Sequence, residues 1–456
     1  MDFPIFQADF FGNRLLIALI AIIHVIVNHS FAVGMMPLLA FMEWWAHRTG
    51  REDWDQLLYK ILAVAFIVTT SVGALTGVGI WLSTSVVNPA AIGSLLRVFY
   101  WAWFSEWVVF VCEVVLILVY FLTWKRMTGV RKSAHIRIGM ALGLMSWLTM
   151  AIITAILGFM MNPGSWPQQQ DLLAGFLNPA YLPQLLFRTC AAMMMAGSLA
   201  LALCTLFTRK RTALRNEALK SFAGWSLFWT VPLCLWALVY YQAIPLEMMV
   251  NLPVAFGTQA WAGSYSLFLR LTLAVGVAGI GFNLWALLKP ARGYSFVWIV
   301  PFLCLCLLVS QFERTRQFIR KPYVLAYYMY SNGVRPHESA YLVKTGLLAN
   351  SAWVTNRTVS AGNRVQAGRE VFLIACSRCH TLNGANSITA NLSRLYPGQT
   401  WSPDVIDGYI RYINGARSYM PPFPGNAAER AALASYLATL QTSSDRIPSN
   451  ASIGRN

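Results

Sequence analysis

Five residues near the C-terminus, Cys376, Ser377, Arg378, Cys379 and His380, carry the most explicit chemistry in this 456-residue chain. Two thiols three positions apart with an adjacent imidazole form C-x-x-C-H. The thiols can add across the two vinyl groups of a haem, and the imidazole can reach the iron from one face. A C-x-x-C pair alone would also suit zinc or thiol redox chemistry. Forty residues later, Tyr419, Met420, Pro421, Pro422 and Phe423 place a thioether in a proline-stiffened loop. A thioether is the usual sixth ligand of a His/Met iron. One covalent haem c, ligated by His380 and Met420, is the expectation.

The elements around the motif agree with it. Residues 365–375 read as a helix running into the motif, with Gly368 and Phe372 on one face. Residues 427–440 read as a second apolar-periodic helix, with Tyr436 available to pack against Gly368. From about 361 to 443 the chain resembles a class I cytochrome c.

The rest of the chain belongs to another solvent. Of all residues 57% are hydrophobic and 12% charged, where a soluble domain carries about a quarter charged. Crossing the hydrocarbon takes about 20 apolar residues in a helix. Eight runs qualify: 14–42, 58–82, 97–124, 136–161, 182–207, 221–241, 262–288 and 295–312. Lipid cannot satisfy an open backbone, so each must be helical. The predicted fold class is all-α, a polytopic transmembrane helix bundle of about eight spans plus a small soluble cytochrome domain. The predicted division is 1–330 membrane domain, 331–360 polar periplasmic linker and 361–456 cytochrome domain. Cys112, Cys190, Cys204, Cys234, Cys304 and Cys306 fall in apolar runs and read as small buried hydrophobes.

The formal charge is +17. Its placement points to topology and away from nucleic acid. Lys125, Arg126, Arg131 and Lys132 follow the third run; Arg209, Lys210, Arg211 and Arg215 follow the fifth; Lys289 and Arg292 follow the seventh. The loops 162–171 and 242–263 contain no Lys or Arg. Basic loops mark the cytoplasm. Both termini, and the cytochrome domain with them, are therefore expected in the periplasm of a bacterial cell. The stretch 313–330 is expected to lie along the outer interface.

Ionisable groups inside a membrane are costly and count as functional candidates. They are His24, His29, Glu106, Glu113, Arg188 and Arg270. His24 and His29 are five apart, which on a regular helix turns them about 140° from each other, so they cannot share one metal. With His135 in a basic loop, the histidines are too few for two bis-His haem pairs. Glu106 and Glu113 share a face of the third run, and His24 and Glu106 are expected at similar depth.

At these residues the sequence resembles subunit I of cytochrome bd oxidase, over about 5–330. Gly34-Met35-Met36-Pro37-Leu38-Leu39-Ala40-Phe41-Met42-Glu43 is similar to the stretch after the family's first haem-ligating His. Glu113, Trp124-Lys125-Arg126, Leu177-Asn178-Pro179 and Arg320-Lys321-Pro322-Tyr323 look like further family segments. The resemblance implies that His24 ligates a haem b, that Glu106 and Glu113 act in catalysis, and that Arg270 lies at a cofactor. It also implies a second membrane subunit alongside. The departures are as informative. His24 and Glu106 each match with a one-residue offset. Arg188 and Thr272 stand where the family has the His and Met of its low-spin haem b. The quinol loop is cut to about twenty residues, and the ninth helix is missing.

Two readings stay open. On the first, the chain is a bd-like oxidoreductase. It exchanges electrons with a periplasmic protein or respiratory complex through haem c rather than with quinol, keeps one or two haems b, and reduces oxygen there. On the second, the eight helices are a non-catalytic anchor for an electron-transfer cytochrome c in a larger complex.

Overall fold

The computed structural model describes residues 4–256, 264–292 and 295–441. Among them, eight helices are long and apolar enough to cross a membrane. They are α1 (Asn13–Thr49), α2 (Glu52–Val87), α3 (Tyr100–Thr123), α4 (Gly129–Met161), α5 (Tyr181–Phe207), α6 (Ala213–Gln242), α7 (Leu269–Leu288) and α8 (Ser295–Ile319). The chain divides into two compact units. One comprises Ile20–Gly79 and Leu95–Ile319; the other comprises the described parts of Met1–Leu19, Ile80–Ser94 and Arg320–Asn456.

In the first unit α5 is the central helix. Its apolar window is 89% buried, whereas no other span exceeds 50%. Helices in lipid gain little from hydrophobicity against one another, so close backbone approach must hold them. Gly34 of α1 supplies that approach: a Cβ there would lie 2.1 Å from the Ala192 carbonyl oxygen of α5. Just before Gly34, residues Asn28–Val33 form a π-helical segment. The wider turn changes which way His29 faces relative to a regular helix. A second π segment, Thr69–Gly73, interrupts α2.

The second unit contains a short antiparallel hairpin, β1 (Tyr323–Leu325) and β2 (Met329–Tyr330). After it come α9 (Pro336–Thr345), α10 (Arg364–Ala375), α11 (Ile388–Leu395), α12 (Pro403–Arg411) and α13 (Ala427–Thr439). Helices α10 and α13 cross at Gly368, where a Cβ would sit 2.1 Å from the Ala432 carbonyl oxygen and 2.9 Å from Tyr436 Cβ. The expected glycine–tyrosine contact is present.

The domain boundaries differ from expectation in three places. Residues 331–360 are more than a linker: they contain α9, and Leu347, Leu348 and Val354 enter the same core as Val371 and Phe372. Glu429 secures them by accepting the Leu347 and Leu348 amides at 2.9 and 2.8 Å. Periodicity could not reveal this, because an irregular segment has none. The eighth span also runs past its expected end at 312, since α8 continues to Ile319 and carries Glu313 and Arg316 in its last turns. Finally, the chain up to the start of α1 packs in this second unit. The Phe10 carbonyl accepts the Ala385 amide at 3.0 Å, and Asn13 Nδ2 donates to the Ser377 carbonyl at 3.3 Å. Of the six cysteines in apolar runs, Cys112 and Cys234 are exposed rather than buried.

Candidate functional site

The C-x-x-C-H residues form a tight turn at the end of α10. The Cys379 and His380 amides both donate to the Cys376 carbonyl, at 3.0 and 2.9 Å. His380 Nδ1 lies 3.2 Å from the Asn386 carbonyl oxygen. A carbonyl only accepts, so Nδ1 carries the proton and the Nε2 lone pair is left for a metal. Burial lowers the imidazole to about 4, with the Lys321 and Arg14 charges adding to it and the Asn386 bond opposing. The ring is therefore neutral at neutral pH. Asn386 adopts a positive φ of 55° and returns its own side chain to the Cys379 carbonyl at 2.7 Å. Lys321 Nζ donates to Cys379 Sγ at 3.0 Å. The Met420 backbone is fixed from both sides: its amide donates to the Arg417 carbonyl at 2.8 Å, and its carbonyl accepts Asn414 Nδ2 at 2.6 Å. A neutral imidazole with Nε2 open beside two cysteines fits a covalently attached haem.

In the first unit, the same test sorts the histidines. His24 Nδ1 lies 3.1 Å from Thr76 Oγ1. The Thr76 hydroxyl proton is already directed to the Val72 and Gly73 carbonyls at 2.6 and 3.1 Å. His24 must therefore donate from Nδ1, which leaves Nε2 open. Gly77 makes room for the ring, since a Cβ there would lie 3.3 Å from His24 Cε1. His29 is the opposite case: Arg188 Nη1 donates to its Nε2 at 3.3 Å. His135 is fully buried and has both nitrogens engaged, Nδ1 by Glu43 at 2.6 Å and Nε2 by the Tyr120 carbonyl at 2.8 Å. Only His24 among these three presents a free ligand atom.

The acids divide as well. Glu113 is held by α4, with Ser146 donating to Oε1 at 2.6 Å and Thr149 to Oε2 at 3.2 Å. Glu106 is half-buried and bonds to none of the described residues. His24 was expected at the depth of Glu106; its ring packs on α2, against Thr76 and Gly77. Arg270, expected at a cofactor, is exposed on α7 and has no bonded partner among the described residues. Part of the shortened quinol loop, residues 257–263, lies outside the described residues.

Sequence reasoning missed two buried clusters. In one, Arg188 pairs with Glu313 Oε1, while Arg316 Nε and Nη2 donate to Glu313 Oε2 at 3.0 and 2.9 Å. The acid that Arg188 meets lies in its own chain, 125 residues away. In the other, Glu43 joins His135 to the Tyr120 hydroxyl at 2.7 Å and to Lys132 at 2.7 Å, and Lys132 reaches Asp55 at 2.6 Å. His135 had been placed in a basic loop. The available signal was Glu43, a carboxylate immediately after the first apolar run.

Comparison with known proteins identifies two families and a shared fold. A family model described as cytochrome bd terminal oxidase subunit I matches residues 13–244. A second, described as cytochrome C oxidase, cbb3-type, subunit III, matches residues 363–437. The structure of bd oxidase from Geobacillus thermodenitrificans shares the fold, with a TM-score of 0.57 at 15% identity over 70% of this chain and 89% of that one. No curated protein matches.

Proposed function

This chain belongs to the cytochrome bd terminal oxidase subunit I family, and we propose that it is a respiratory oxidase subunit that exchanges electrons through a fused c haem rather than with quinol. It is a multi-pass membrane protein whose bd-type domain is joined to a cytochrome c domain, an arrangement that serves respiratory electron transfer. In this reading Cys376, Cys379, His380 and Met420 hold one covalent haem on the periplasmic side. His24 ligates one haem b in the membrane. A second membrane subunit and a periplasmic electron carrier complete the system.

One observation carries the reading. Two imidazoles, one in each unit, have Nδ1 committed to an oxygen and Nε2 open. That is the arrangement in which a protein presents histidine to a metal. When bound, the haems supply one-electron transfer and oxygen chemistry. The chain's own residues do the rest. Thr76 and Asn386 orient the two rings. Ser146 and Thr149 fix both oxygens of Glu113, which stands ready to pass a proton inside the bundle. Arg188, at the position where the resemblance implies an imidazole, has no lone pair to offer iron. The low-spin haem b of the family is therefore absent in this proposal.

The Arg188–Glu313 ion pair also favours the second reading, a non-catalytic membrane anchor for the cytochrome. Stopped-flow reduction of the purified protein, followed by mixing with oxygen, separates the two. A catalytic subunit reoxidises its c haem together with a b signal on the turnover timescale. A c haem that stays reduced in oxygen, with no b signal, would support the anchor.

A further inference from the structure

The group at His29, Arg188, Glu313 and Arg316 is not electrically closed. All four side chains are more than nine-tenths buried. Guanidinium stays charged in proteins, so the two arginines bring two positive charges. Glu313 returns one negative charge, and both of its oxygens are already taken, one by each arginine. His29 brings none: its Nε2 accepts from Arg188, so its single ring proton is on Nδ1. The Phe312 ring, 5.7 Å from the Arg188 guanidinium carbon, offers only a quadrupole. Tyr240 of α6 faces Arg316, and a phenol is neutral at neutral pH. No second carboxylate bonds to either arginine among the described residues.

Two guanidinium N–H groups remain buried without an acceptor, Arg188 Nε and Arg316 Nη1. One unbalanced positive charge and one spare donor on each of two arginines specify a ligand: a singly charged anion with two oxygens. We propose that this cluster is a carboxylate-binding site, held by Arg188 and Arg316 and bounded by His29. The carboxylate could come from a propionate of the membrane haem or from a free short-chain acid. The propionate source rests on the functional reading above; the site itself does not.

The test uses purified full-length protein and two probes. Redox-difference infrared spectroscopy is run with haem labelled at its propionate carboxylates with 13C, and 13C-formate is titrated separately. Arg316→Gln removes the surplus charge. Arg316→Lys keeps the charge and loses the fork, which guards against a variant that fails to fold. If a propionate occupies the site, the labelled carboxylate band shifts in both variants. The haem b potential also falls in Arg316→Gln, because losing a nearby positive charge favours the ferric state, and it returns toward wild type in Arg316→Lys. If a free acid occupies it, wild type shows a saturable formate band that is lost in Arg316→Gln, with the haem b potential unmoved. Neither response in either variant would overturn the site. A protein without haem b would sink the oxidase reading, and the formate titration would then decide the site alone.

Discussion

The two units use the same devices over very different sequence distances. Each closes a helix crossing on a glycine whose Cβ would lie 2.1 Å from a carbonyl oxygen, Gly34 against Ala192 and Gly368 against Ala432. Each presents one imidazole through Nε2. In the cytochrome unit the partners are local: His380 is oriented by Asn386, six residues on. In the bundle they are remote: His24 is oriented by Thr76, 52 residues on, and Arg188 pairs with Glu313, 125 residues on. Short-range chemistry can be read as a motif. Long-range chemistry in lipid is set by helix rotation and packing.

The largest effect is expected at the ion cluster. Glu313→Gln leaves two buried guanidinium groups without their carboxylate. Breaking a buried pair from one side costs about 3–5 kcal/mol, so thermal unfolding of the detergent-solubilised protein should shift strongly. The c-haem spectrum, built on local contacts, should persist up to that transition. An unchanged unfolding transition would mean that the cluster is solvated.

The two crossing glycines should give the next largest effects. An added methyl at either crossing overpacks it, at a cost of about 1–3 kcal/mol. Gly34→Ala should lower haem b content and spare haem c, and Gly368→Ala should do the reverse. Pyridine haemochrome spectra of the two variants read both quantities. A loss of both haems in either variant would show that the units depend on each other. Met420→Ala is subtler. Since a thioether ligand raises the potential of a c haem, the variant should keep its covalent haem, lose the sulfur-to-iron charge-transfer band and titrate at lower potential. An unchanged band would remove Met420 from the iron. The smallest effect is expected at Arg51, whose bonds to Asp53 and Glu217 lie in solvent. Exposed pairs contribute little, and Arg51→Ala should unfold and bind haem as wild type does.

What could be read in advance follows the same division. Eight spans and the C-x-x-C-H turn were legible because apolar length and a five-residue motif need no partner. Two features of the bundle were not. The π-helical segment Asn28–Val33 breaks the regular 3.6-residue period on which the angle between His24 and His29 was reckoned. His135 looked like a loop residue because Arg131 and Lys132 precede it, yet α4 already contains it and Glu43 buries it. The irregular stretch around Leu347 and Leu348 seemed a linker because its contribution to the core depends on Glu429, more than eighty residues away.

His24 is proposed to hold a membrane haem b that works with the fused c haem. The most direct test is the haem b to haem c ratio of the purified chain and of His24→Ala, measured by pyridine haemochrome after identical expression. Haem b is expected in the wild type, with loss of one haem b per chain in the variant and haem c unchanged at one per chain. Full retention of haem b in His24→Ala would leave His24 as a histidine that bonds Thr76 and holds no haem.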